Sequence, residues 1–89
     1  MQHVIWKATL KLEGGEQIVM TPRDAEMLCA REQHEQVCVW FRCDPTAPQV
    51  KRRLVIIGTG HPESTDSDRY LGTASLDGGM LMLHVFERT

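Results

Sequence analysis

The sequence predicts an all-β domain, a small antiparallel roll or barrel of about seven strands built as a homo-oligomer. Three observations carry this expectation. Apolar residues recur with a period of two in several short runs. Glycine- and proline-bearing turn signals separate those runs. Two of the runs, "LVIIG" and "MLMLHVF", are apolar on both faces, the pattern of strands covered from both sides. A single small sheet cannot cover itself in that way, so a second copy of the chain is the expected cover.

From Val4 to Leu12 the alternation is clean, with Val4, Trp6, Ala8, Leu10 and Leu12 on one face and Lys7, Thr9 and Lys11 on the other. "EGGEQ" then supplies a turn, and "QIVMT" reads as the return strand of a hairpin. Thr21 to Gln36 is ambiguous. "TPRD" has the look of a helix start, with Thr21 as cap and Pro22 in the first helical position, and "AEMLCAREQ" is rich in helix formers. Yet Ala25, Met27 and Cys29 alternate. Val37 to Cys43, "VCVWFRC", is β-branched and aromatic and reads as a strand. "DPTAPQ" is a proline-held loop, and "KRRLVIIG" is the next strand. The most polar stretch, "ESTDSDR", follows "GTGHP" as a candidate mobile flap. "YLGTASL" and "MLMLHVFE" are two further strands, joined through the turn signal "DGG".

Composition narrows function mainly by exclusion. The chain has 89 residues, 42% of them hydrophobic and 25% charged, with a formal net charge of −2. That length fits one domain spanning residues 1–89. The near-neutral balance supplies no field for long nucleic acid, so any anion binding must be local. No apolar run reaches the length of a membrane span, and "MQHVIWK" lacks the layout of a secretion signal. The expected location is the cytoplasm. Three cysteines, Cys29, Cys38 and Cys43, have no zinc or redox spacing and are read as reduced and mostly buried. The histidines His3, His34, His61 and His84 show no metal spacing, and no cofactor motif occurs.

Several motifs together carry a resemblance. "IWKATL", "VCVWFRCDPTAP", "GTGHP", "YLGT", "DGG" and "HVFE", in that order, resemble a family of small phage and prophage proteins, a domain of unknown function. In that family the segment matching "TPRDAEMLCAREQ" is strand-like. With the alternation and the strand that follows, this favours a strand over a helix. A looser resemblance, in size and β-rich character, is to phage sponges that capture the cyclic nucleotides of anti-phage defence. It implies a class and no particular residues.

The candidate site centres on Gly58, Thr59, Gly60 and His61. Glycine loops expose convergent backbone N–H groups to anions, and a threonine hydroxyl and an imidazole could add donors. The lysine-ended phosphate loop and the dinucleotide fingerprint are both absent, so a bend remains the plain alternative. Arg52, in the basic entry "KRR", is a phosphate candidate, and Trp40 and Tyr70 are stacking candidates. Trp6 is expected in the core and His84 as a satisfied, buried histidine. No nucleophile–base–acid set is apparent. The resulting expectation is non-catalytic binding of a nucleotide-like anion at an intersubunit site, to counter host defence. Two alternatives stand beside it: an adaptor for a host or phage protein, and a small hydrolase pairing His61 with Asp66 or Asp68.

Overall fold

The computed structural model describes residues 2–63 and 67–89, so the centre of the expected flap lies outside the described residues. Seven strands form among the described residues: β1 (Val4–Thr9), β2 (Glu16–Pro22), β3 (Glu26–Gln33), β4 (Gln36–Cys43), β5 (Gln49–Gly58), β6 (Arg69–Leu76) and β7 (Leu81–Arg88). They build two antiparallel sheets rather than one closed barrel. One has the order β1-β4-β3 and the other β2-β5-β7-β6. Residues paired across an antiparallel ladder share a face, which assigns the paired side chains of each strand. Val4, Trp6 and Ala8 of β1 pair with Cys43, Phe41 and Val39 of β4 and face inward. Leu54 and Val85, both fully buried, face them from the other sheet, and inward residues of both sheets make one apolar core.

The ambiguous segment is a strand. Pro22 closes β2, Asp24 takes a left-handed φ of 63° in the bend, and β3 follows. Helix propensity loses here to tertiary pairing with β4. The alternation expected within it is interrupted, however. A bulge between Met27 and Cys29 turns Cys29 outward against Trp40, and Ala30 takes the inward place, 2% exposed. A tight hairpin then joins β3 to β4 through His34 and Glu35, both at positive φ.

Two further expectations are corrected. "QIVMT" does not return against β1. β2 pairs with β5, while β1 lies on β4. The "EGGEQ" region is therefore a crossing between sheets, and β1 finds its partner across a long sequence separation, where no local turn signal can point. Trp6 does face inward, but on an edge strand, so it stays 41% exposed. Leu12, beyond the end of β1, is exposed as well.

The sheets meet most closely along β3 and β6. Gly72 makes this possible, because a Cβ there would stand 2.2 Å from the Ala30 carbonyl oxygen. Farther along, Arg52 ties the sheets together. Its guanidinium grips the Glu87 carboxylate on β7 at 2.5 and 2.9 Å and donates to the Ala25 carbonyl, just before β3, at 2.8 Å.

All three cysteines are free thiols. Burial, with the charge of Asp44 adding to it, pushes the Cys43 thiol up from its ordinary pKa, so it stays protonated and unreactive at neutral pH. Cys38 is also buried, and Cys29 is partly open. Native protein treated with iodoacetamide should accordingly be alkylated at Cys29, with Cys38 and Cys43 reacting only after unfolding. Rapid labelling at either of the latter two would contradict this packing.

Candidate functional site

The loop "GTGHP" is a tight turn. The His61 amide donates to the Gly58 carbonyl at 3.1 Å. Gly60 has a φ of 84°, the value that the third position of a type II turn demands and that only glycine takes without strain. The His61 ring folds back over Gly58, where a Cβ would come within 3.1 Å of its Nδ1. Glycine at 58 thus makes room for an imidazole.

That imidazole borders a cleft of about 260 Å³ at the end of the domain where β5 finishes and β7 begins. Leu12, Glu13 and Gly14 of the β1–β2 crossing form one wall, and Ile56, Gly58, His61, Leu81 and Leu83 form the other. Four aliphatic side chains thus line it, with one carboxylate and one imidazole. It lies on the inner side of the four-stranded sheet, since Ile56 and Leu83 pack against the core. Leu12 and Leu81 are both exposed at its rim, and Met80 beside them is 83% exposed. Leu12, Leu81 and Leu83 carry no signal of a site in the sequence. The hint was only that apolar residues abut the glycine turns in "LEGG" and "GGMLML".

The remaining candidates are dispersed. Thr59 turns to the opposite side of the sheet, where its hydroxyl bonds His84 Nε2 at 2.7 Å. His84 Nδ1 bonds the Thr73 hydroxyl at 3.0 Å, and that hydroxyl meets the Tyr70 phenol at 2.5 Å. Tyr70, more than half exposed, also packs on Phe86 with ring centroids 5.4 Å apart. Both nitrogens of His84 are satisfied, as expected, but the ring lies half-buried on an outer sheet face and not in the core. Trp40 projects from the outer face of the three-stranded sheet, paired with Lys7 and Cys29. Trp40 and Tyr70 therefore point away from each other and cannot sandwich one base within a chain.

Arg52 stands apart from the loop. Six residues of extended strand, about 20 Å, separate it from Gly58, and its donors are taken up by Glu87 and Ala25. Within one chain, then, Arg52 serves the fold and does not meet the loop. Asp68, named as a partner for His61, lies 3.4 Å from Arg88 instead, and Asp66 lies outside the described residues.

A second depression, of about 150 Å³, is lined by His3, Arg23, Asp24, Asp44 and Ala47. Here the hydroxyl and amide of Thr46 bond the Asp44 carboxylate at 2.7 and 2.9 Å. These bonds hold its pKa below the ordinary carboxylate value. Their contribution to stability is present above that ordinary value and lost as pH falls through the lowered one. The group belongs to the proline-held loop and shapes its turn.

The family then follows from the whole length of the chain. Residues 1–89 match a domain of unknown function, DUF7352. The chain belongs to this family. No curated protein and no solved structure matches it. Within this DUF7352 domain no helix among the described residues is long and apolar enough to cross a membrane.

Proposed function

We propose that this DUF7352 domain is a non-catalytic adaptor that seats an apolar side chain of a protein partner in the cleft beside His61. The observation that carries this reading is the lining. Leu12, Ile56, Leu81 and Leu83 converge there from separate segments, with Glu13 and His61 as the polar members. The volume lies below the range of about 300–1,000 Å³ usual for small-molecule pockets, and suits one large side chain. The exposed rim of Leu12, Met80 and Leu81 extends the contact outward, as a protein partner requires and a buried metabolite does not. A lysine or arginine at its phosphate would favour a nucleotide-like anion, and among the described residues the cleft lining includes neither.

The test is one substitution with opposite consequences under the two readings. Leu81 is 43% exposed, so Leu81→Lys leaves the core intact and sets a cation at the cleft mouth. Affinity for short leucine- or phenylalanine-containing peptides, measured by calorimetry, should fall by about tenfold or more, since a desolvated cation replaces an apolar contact. Tighter binding of a cyclic dinucleotide by the variant, without peptide binding by the parent protein, would instead support the nucleotide reading.

A further inference from the structure

We infer that β1 pairs edge to edge with β1 of a second copy of this chain, joining two three-stranded sheets into one of six strands. Successive residues of an antiparallel strand turn their N–H and C=O groups to alternate sides. The Leu10 amide donates to the Val37 carbonyl at 2.8 Å, so Ala8, Trp6 and Val4 turn toward β4 as well. Ile5, Lys7 and Thr9 turn theirs the other way, to the edge where β1 has no ladder neighbour. Among the described residues no strand or side chain bonds these backbone groups.

The other sheet edges are less open. β3 and β6 cover each other, since Arg69 donates to the Met27 carbonyl at 3.0 Å and Gly72 lies against the Ala30 backbone. On β2 the Arg23 amide donates to the Pro48 carbonyl, which leaves Ile18, Met20 and Pro22 at the edge. Pro22 has no N–H to offer, and its carbonyl accepts from the Thr21 hydroxyl at 3.1 Å. β1 has none of the devices that blunt an edge. It pairs with β4 in unbroken register, without proline or bulge. Its one lysine does not guard the edge, because Lys7 reaches over β4 to Gln33 at 2.5 Å.

The sequence of β1 fits this edge in one register. A two-fold axis at Trp6 sets Ile5 opposite the partner's Lys7, and Lys7 opposite the partner's Ile5, as hydrogen-bonded pairs. Trp6 then meets the partner's Trp6 in a non-hydrogen-bonded pair, where side chains come closest, and Val4 meets the partner's Ala8. The axis stands perpendicular to the sheet, so the inner row of Val4, Trp6 and Ala8 runs on from copy to copy. That covers a tryptophan left 41% exposed. An axis at Lys7 would set lysine on lysine, and a one-residue slip would turn inner side chains outward. Length agrees as well. The Gln17 amide bonds both backbone groups of Lys11 at 3.0 Å, as an added strand would, and closes the edge there. In the Trp6 register the partner's His3 falls opposite Thr9, so the incoming strand fits without displacing Gln17.

Light scattering and thiol crosslinking on the full chain test this. At about 100 μM, enough to populate an interface of modest size, the protein should show twice its 10.1 kDa mass. Ile5 is 61% exposed, so Ile5→Lys leaves the fold and its circular dichroism unchanged. It sets a lysine opposite the partner's Lys7 twice per dimer, which should weaken the dimer by about tenfold. Trp6→Cys, in a Cys29→Ser background, should crosslink the two copies on oxidation with diamide. The paired positions lie about 4.5 Å apart between Cα atoms, within disulfide reach. Ala8→Cys in the same background should not crosslink, because its two copies stand four residues out of step, about 14 Å apart. A monomeric parent protein, a dimer that Ile5→Lys leaves at full strength, or a folded Trp6→Cys variant that does not crosslink would overturn the inference. Crosslinking at Ala8→Cys would overturn the register.

Discussion

Gly72→Ala should be among the most damaging single-methyl additions in this domain. The new Cβ would lie 2.2 Å from the Ala30 carbonyl oxygen and 3.0 Å from the Ala30 nitrogen. Both are backbone atoms of a paired strand, so no side chain can swing aside. Relief requires β3 and β6 to separate, and these strands form the closest seam between the sheets. Overpacking of this kind costs about 3 kcal/mol or more. Against a total of about 5–15 kcal/mol for a domain, the urea midpoint should drop by a large fraction, if the variant folds at all. A midpoint within error of the parent protein would show that the seam is looser than described.

Arg52→Ala should be nearly as costly, for an electrostatic reason. Arg52 and Glu87 have side chains only 19% and 12% exposed, and the guanidinium also satisfies the Ala25 carbonyl. Removing the arginine leaves a carboxylate that is almost buried and unpaired by its former partner. Breaking one side of such a pair costs about 3–5 kcal/mol, whereas replacing both by apolar residues can be nearly neutral. The double variant Arg52→Met with Glu87→Leu should therefore recover much of what Arg52→Ala loses. Denaturation midpoints decide it. If Arg52→Ala is neutral and the double variant is worse, the pair contributes in some other way.

These two positions also show what a sequence can and cannot carry. Period-two alternation located the strands and the correct faces of β4 and β5, because side-chain direction is a local property of extended backbone. It also carried β3 against its helix propensity. Pairing partners were another matter. "EGGEQ" is a sound turn signal, yet β2 crosses to the other sheet and pairs with β5. Nothing local distinguishes a hairpin from a crossing. The bulges at Met27/Cys29 and Tyr70/Gly72 were invisible for a related reason. A bulge relieves a conflict with a partner strand, and the partner is remote.

The candidate site divides along the same line. That "GTGHP" bends the chain was legible, since Gly60 alone of its neighbours takes a φ of 84° freely. Thr59 and His61 read as joint donors to one anion, but the turn sends them to opposite sides of the sheet. Arg52 reads as a free cation until Glu87, 35 positions later, closes on it. The cleft was illegible because its walls come from the β1–β2 crossing, β5 and β7. Leu12 and Leu81 look like ordinary strand residues until the fold brings them to one mouth.

The cleft is also where the functional account is most exposed to a direct test. Methyl resonances of Ile56, Leu81 and Leu83 report on its walls, and those of Ile5 and Ile18, on outer faces, serve as internal controls. Methyl-labelled protein would be titrated in parallel with a short leucine-containing peptide and with a cyclic dinucleotide. Saturable shifts are expected at Ile56, Leu81 and Leu83 with the peptide, with no change at Ile5 and Ile18 and no response to the dinucleotide. Shifts with the dinucleotide alone, or peptide shifts confined to Ile5 and Ile18, would contradict it.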